Sequence, residues 1–222
     1  YAWPTRESAY AALDGELGEA LAAVLAEHGL VALSWWESGY RHITNSVKPI
    51  ETPADLEGIK LRVPEAELRL DSFRALGAQP PPVAFSEVFT ALQQGVVDGQ
   101  ENPLATISAS KFYEVQDHLA LSGHIWGSAV LTISKDAWDE LSEEQQASLK
   151  AAADEWRDRE RAMIRESDEK LLGELEAAGL QITHPDAAAF QEAVQPVWEA
   201  YEPVFGSDLM AIVRKYSSGE AN

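Results

Sequence analysis

Extended apolar segments alternate with helical segments along the first two thirds of this chain. Residues 6–29 place leucines and valines at helical spacing and end at a glycine, and the apolar run 30–36 that follows is typical of a buried strand. A helix start at 52–56 and a short strand at 59–63 repeat this order. The alternation predicts an α/β fold with a largely parallel sheet and helices on both faces. The other expected elements of this part are a break at 37–39, a resumed strand at 40–44, helices over 67–76 and from Ser86 to Gly95, and strands at 115–121 and 126–134.

The last third of the chain has a different pattern. From Ala137 to Ala178 it is rich in Ala, Glu, Leu and Arg and contains no proline. Apolar side chains recur there at helical spacing, but too irregularly for the heptads of a coiled coil. We therefore expect one very long helix, or two end to end, followed by a second amphipathic helix over 187–201.

Charge and cysteine content exclude several classes of protein. The 222 residues carry 17 Lys plus Arg against 37 Asp plus Glu, a net charge of −20, and no cysteine. The acidity argues against nucleic acid or anionic membranes as partners, and it otherwise fits a solubilising surface or a saline habitat. Disulfides and thiolate chemistry are excluded. An anionic ligand would have to be held by a few locally placed cations, because the overall field repels it.

Enzyme motifs are missing from the sequence. There is no glycine-rich phosphate loop, no Gly-x-Ser-x-Gly elbow and no His-Glu-x-x-His, and the five histidines are scattered. We expect no metal site and no cofactor. The enzymatic alternative is a small α/β enzyme that acts on an organic acid with Asp98 or Glu101 as its base.

Two arginines stand apart from the acidic background. Arg41 lies in an expected extended segment, and Arg62 lies between Leu61 and Val63 at the end of an apolar strand. In open α/β sheets ligands collect at such strand ends, and a guanidinium is suited to grip a carboxylate through two parallel hydrogen bonds. Arg62 is therefore predicted either to bind a carboxylate or to form a structural salt bridge with Asp98 or Glu101.

The segment 84–104 is expected to begin as a helix and to end in an irregular connection. That connection would carry Asp98, Glu101 and Asn102. The Asn102 amide can donate to a ligand oxygen and accept from a hydroxyl, or it can simply be a turn residue before Pro103.

Three aromatic or imidazole side chains are further candidates. Phe85 either packs against the start of its helix or forms the floor of a pocket. His124 and Trp126 share one face of an extended segment by the two-residue period; either could belong to the core, and for Trp126 the core is the favoured interpretation.

Five segments together resemble the DctP-type solute-binding proteins of TRAP transporters. The resemblance runs in order over nearly the whole chain, and the combination is specific although no single piece would suffice. The segments are 58–64 (Gly-Ile-Lys-Leu-Arg-Val-Pro), 76–82, 85–104, 111–115 and 134–141.

This resemblance implies a periplasmic, non-enzymatic and monomeric protein whose two α/β lobes close on a small organic acid and deliver it to a membrane permease. A third option, beside transport and the enzyme, is that the protein presents its ligand to a membrane sensor protein instead of a permease. In such proteins a long helix spans both lobes. Residues 1–38 and 128–167 would belong to lobe I, and residues 39–127 and 168–222 mainly to lobe II. Family members also begin with a strand–helix–strand portion ahead of Tyr1, so we expect the sequence to be N-terminally incomplete.

The resemblance also implies a ligand site. The arginine of the Lys-x-Arg-Val-Pro strand, here Arg62, would clamp the ligand carboxylate, and Asn102 would support the same group. Arg41 corresponds to another common polar contact. The resemblance does not distinguish a monocarboxylate from a dicarboxylate ligand. The remaining positions expected to line the pocket are Phe85, His124 and Trp126, the last at a position where family members vary.

Overall fold

The computed structural model describes residues 1–218, and these form helices and a mixed sheet, which confirms the predicted α/β class. The helices are α1 Arg6–Leu13, α2 Glu16–Glu27, α3 Glu67–Ala75, α4 Val88–Gln93, α5 Leu104–Ala109, α6 Lys135–Asp139, α7 Glu143–Ala177, α8 Ala187–Ala193, α9 Gln195–Phe205 and α10 Ser207–Ser217. The strands are β1 Leu30–Asn45, β2 Leu61–Arg62, β3 Gly99–Pro103, β4 His118–Ser134 and β5 Gln181–Thr183. Single 3-10 turns occupy Pro53–Leu56, Phe85–Glu87 and Phe112–Glu114.

The sheet is mixed rather than largely parallel. Its strand order is β2-β3-β1-β4-β5, with β2 parallel to β3 and β4 parallel to β5, whereas β1 runs antiparallel to β3. The predicted break at 37–39 is also wrong, because β1 continues through it with Gly39 at a φ of +87°. The apolar run 30–36 predicted a buried parallel strand, but only Leu33 and Ser34 of this run are buried.

The described chain forms two compact units. One contains Tyr1 and residues 40–125 and 167–204, and the other contains residues 2–39, 126–166 and the segment from residue 205 onward. We call them the first and the second unit. Strands β1 and β4 and helix α7 each contribute residues to both. The assignment of the units to the lobes of a binding protein stays a prediction.

The long helix is confirmed as one element, while two other helical predictions need correction. Helix α7 has 35 residues and begins after Ser142, which forms reciprocal hydrogen bonds with Gln145. The helix expected over 6–29 is divided into α1 and α2 at Gly15, where the Ala11 carbonyl oxygen lies only 3.0 Å from the position of an added Cβ. The helix expected over 187–201 is likewise divided, at Val194.

Within the first unit, the apolar core fixes strand β2. The neighbours of Arg62, Leu61 and Val63, are fully buried in a cluster with Ile43, Phe73 and other apolar residues. Burial of both neighbours fixes the position of the Arg62 backbone. Among residues 1–218, no helix is both long and apolar enough to span a bilayer.

Candidate functional site

Three arginines and one glutamate meet in the first unit. Arg41 comes from β1, Arg62 from β2 and Arg69 from the first turn of α3, and we call them the arginine cluster. Each one interacts electrostatically with Glu101 of β3. The arginine cluster is therefore a local concentration of positive charge in a chain of net charge −20.

Glu101 is fully buried, and other side chains hold both of its carboxylate oxygens. The Arg41 guanidinium donates from Nε to Oε2 at 2.5 Å and from Nη2 to Oε1 at 2.9 Å, the parallel geometry that binds a carboxylate best. Nε2 of His124 lies 2.9 Å from Oε2. Burial acts to raise the pKa of Glu101, but the bonds from His124 and Arg41 outweigh it and hold the pKa below its ordinary 4.5. Glu101 is thus ionised.

His124 is neutral in this network. Burial lowers its pKa below the ordinary 6.5, although Glu101 acts in the opposite direction. A neutral ring that donates from Nε2 to Glu101 has Nδ1 free to accept, and the Ser122 hydroxyl lies 2.7 Å from that atom. The network therefore assigns the Nε2–H tautomer and leaves the positive charge on the arginines.

Arg62 is a buried cation without an acidic partner. The residue is 4% exposed, its Nε donates to the Val83 carbonyl at 3.0 Å, and its guanidinium carbon lies 5.8 Å from the centre of the Phe85 ring. Within the described 218 residues it forms no ion pair, so the predicted alternative of a salt bridge to Asp98 or Glu101 is not found. The Asp98 carboxylate instead accepts from the Lys60 backbone N–H at 2.8 Å.

Asn102 lies in strand β3, so the prediction of an irregular connection is wrong. All five residues of β3 are buried, and the Asn102 side chain accepts from Arg41 Nη2 at 2.9 Å and donates to Gln100 at 2.5 Å. Gln100 in turn donates to the Thr44 hydroxyl. Polar residues disfavour a buried strand only when their groups lack partners, and here they satisfy one another.

The remaining candidates take different positions. Phe85 is 50% exposed in its 3-10 turn and makes an edge contact with Phe112. Trp126 belongs to the second unit, is buried, and packs edge-to-face on Tyr10. The first unit therefore brings Arg41, Arg62, Asn102, Phe85 and His124 together, and a role for Trp126 in the same site stays a prediction.

Sequence reasoning missed Arg69. Its guanidinium nitrogen Nη1 lies 3.9 Å from Oε1 of Glu101, and its side chain is 31% exposed. A usable signal was present, because Arg69 lies in the first turn of the helix that follows the C-terminal end of β2, where ligands collect. Residues 1–218 contain no group of three or more His, Asp or Glu side chains that could hold a metal ion.

Comparison with known proteins identifies relatives along the chain. The family model described as bacterial extracellular solute-binding protein, family 7 (DctP) matches residues 1–203. The chain is 38% identical over 192 residues to the 2,3-diketo-L-gulonate-binding periplasmic protein YiaO of Escherichia coli K12, covering 85% of this chain and 58% of that protein. The chain also matches two further curated relatives, and it spans 62% and 60% of their length.

Solved structures agree with this match. A TRAP periplasmic solute-binding protein from Polaromonas sp. JS666, bound to D-erythronate, superposes with a TM-score of 0.88 at 37% identity over 96% of this chain and 71% of that chain. One from Chromohalobacter salexigens, with bound D-glucuronate, gives 0.92 at 32% identity over 100% and 73%. Both ligands carry a carboxylate.

Proposed function

Because the chain belongs to the DctP family of bacterial extracellular solute-binding proteins, we propose that it captures a small organic acid through its carboxylate and delivers it to the membrane permease of a TRAP transporter. It would do so in the periplasm, where related proteins such as YiaO are named as acting. The proposed ligand class is the sugar acids, since the relatives compared above are named for, or bound to, such acids.

The observation that carries this proposal is the state of Arg62. A buried guanidinium without an acidic partner is costly, and the cost falls when a carboxylate from outside the chain meets it. The strand supports this role because Leu61 and Val63 are buried on either side and Val83 fixes Nε, so the terminal nitrogens are left to donate. Asn102 and Arg41 stand beside Glu101 as the second group of polar contacts.

The same geometry weighs against the enzymatic alternative. A general base must be able to reach its substrate and take a proton near the working pH. Glu101 is fully buried, ionised and bound by Arg41 and His124. The Asp98 carboxylate accepts a hydrogen bond from the Lys60 backbone N–H. We therefore propose that the protein binds its acid without transforming it.

Calorimetry and thermal shift with a panel of sugar acids test the proposal. An acid at 100 times its Kd should stabilise the protein by about 2.7 kcal/mol and raise Tm by several degrees. The matching neutral sugar alcohols serve as controls and should give no shift. Arg62→Lys should bind weakly, because Lys keeps the charge and loses the bidentate fork.

Two results would contradict the proposal. Full affinity in Arg62→Lys for every acid that binds would remove Arg62 from the site. Turnover of a bound acid that Asp98→Asn abolishes would favour the enzyme.

A further inference from the structure

The arginine cluster carries more positive charge than the first unit neutralises. Arg41 is paired with Glu101 through two hydrogen bonds, and His124 is neutral. Arg62 has no ion pair among residues 1–218. The only ionic contact of Arg69 within that range is to Glu101 at 3.9 Å, which is longer than a hydrogen bond.

Other acids do little to change this balance. Glu65 interacts with Arg62 over a distance, but its side chain is exposed to solvent and forms no ion pair in the described part of the chain. Within residues 1–218 Arg69 forms an ionic contact with no acid other than Glu101, while burial lowers its pKa and the neighbouring Arg41 lowers that pKa further. Three guanidinium groups against one buried carboxylate leave a surplus of two positive charges.

A ligand with one carboxylate would neutralise half of that surplus. Its carboxylate would bind Arg62, and the guanidinium N–H groups of Arg69 would then donate hydrogen bonds only to water. A ligand with two carboxylates matches both charges, and a guanidinium fork receives each of them. A dianion is also the ligand that gains most from a fixed pair of cations at low effective dielectric.

We propose that this protein prefers dicarboxylic sugar acids to monocarboxylic ones, with Arg62 gripping one carboxylate and Arg69 acting as the specificity-determining residue for the second. The inference rests on the proposed function, since it concerns the same site. It assigns to Arg69 a role that differs from that of Arg62: Arg62 determines whether an acid binds, and Arg69 determines which acid binds better.

Matched pairs of acids separate the two roles. D-Erythronate and meso-tartrate differ only in that a terminal CH2OH becomes a carboxylate, and so do galactonate and galactarate. Calorimetry on the full chain should give at least tenfold tighter binding for the dicarboxylate of the better-bound pair. In Arg69→Gln that ratio should fall to about one while the monocarboxylate affinity stays within threefold, whereas Arg62→Gln should weaken both members of the pair.

Arg74→Gln is the matched control, because Arg74 lies on the same helix and pairs with the exposed Asp71 outside the cluster. It should keep the wild-type ratio, and circular dichroism verifies that each variant is folded.

Three outcomes would overturn the inference. Equal affinity for both acids in the wild type leaves the proposed function standing and removes the dicarboxylate preference. An unchanged ratio in Arg69→Gln, or an equal loss for both acids, removes the role of Arg69. Binding of no acid at all in the wild type contradicts the proposed function itself, and this inference with it.

Discussion

Two buried arginines, one in each unit, differ in whether an ion pair neutralises their charge. In the second unit, Arg161 is 7% exposed, donates to both oxygens of Asp14 at 2.7 and 2.8 Å and to the Trp35 carbonyl at 2.6 Å, and its guanidinium lies 4.1 Å from the Tyr10 ring centre. In the first unit, Arg62 is 4% exposed, donates to one carbonyl and forms no ion pair within the described residues.

We propose that the difference separates a structural cation, Arg161, from a binding cation, Arg62. Arg161 is neutralised by Asp14 and lies over the Tyr10 ring, so its removal would leave Asp14 with only the longer contact to Arg157 at 3.7 Å. Arg62 stays unneutralised, and a site that must hold a carboxylate only part of the time has to accept that cost. Both arginines are buried, so burial alone does not distinguish them; the missing ion pair of Arg62 is the observation on which its proposed role rests.

Replacing Arg62 by methionine should give the largest effect on binding. We expect acid affinity to fall at least a hundredfold, about 3–5 kcal/mol on the scale for buried charge pairs. Without ligand, the free energy of unfolding should stay the same or rise by up to about 1 kcal/mol, because an unneutralised cation leaves the interior. Calorimetry and urea unfolding measure the two quantities, and a marked loss of stability in the apo variant would make Arg62 structural.

Glu101→Gln should cause the largest loss of stability. The change replaces one of the two acceptor oxygens that bind Arg41 and His124 with an NH2 donor and removes the buried negative charge of the arginine cluster, so the free energy of unfolding should fall by about 3 kcal/mol. Glu65→Gln is the control, since an exposed acid without an ion pair should change stability by less than about 0.5 kcal/mol. Similar urea midpoints for both variants would show that Glu101 does not hold the cluster together.

Arg161→Met is the counterpart of the Arg62 variant in the second unit. We expect a loss of about 2 kcal/mol in unfolding free energy, because Asp14 is partly exposed and keeps some solvation when its partner is removed. Acid affinity should stay within twofold of the wild type. A loss of binding at full stability would reverse the proposed division of roles.

The pH dependence of stability should show the smallest effect. Burial holds the pKa of His124 below its ordinary 6.5. As the pH falls through 6.5, His124 therefore becomes protonated in the unfolded chain while it stays neutral in the folded chain. Stability should therefore fall by about 1 kcal/mol between pH 7.5 and pH 5.5 from this group. The Glu101 pKa is also depressed, and its contribution is lost only below about pH 4.5.

His124→Gln provides the check, since its urea midpoint should vary less between pH 7.5 and pH 5.5 than that of the wild type. An identical slope in both proteins would mean that folding does not shift the pKa of His124.

Local signals in the sequence were enough to predict several elements. Thr52 and Asp55 form the expected capping box around a proline, and helix α7 runs without interruption where proline is missing. The position of Arg62 between two buried apolar residues was also predictable, because the apolar pattern of a strand indicates which of its residues are buried.

Contacts between distant segments could not be predicted in this way. The sequence offered Arg62 as a partner for Glu101, but the antiparallel register of β1 on β3 brings Arg41 to that carboxylate instead. The same register turns the segment around Asn102 into a strand whose polar groups satisfy one another.

The sequence by itself determined which residue types this protein has available: an arginine on an apolar strand, an asparagine before a proline, and an acidic surface that repels anions everywhere else. Tertiary structure alone decided how the charges are distributed. It pairs Glu101 with Arg41 and His124, places Arg69 beside them, and leaves Arg62 without an ion pair within the described residues. The physical reason is that propensity and periodicity act over a few residues, whereas the neutralisation of a buried charge depends on distances across the sheet.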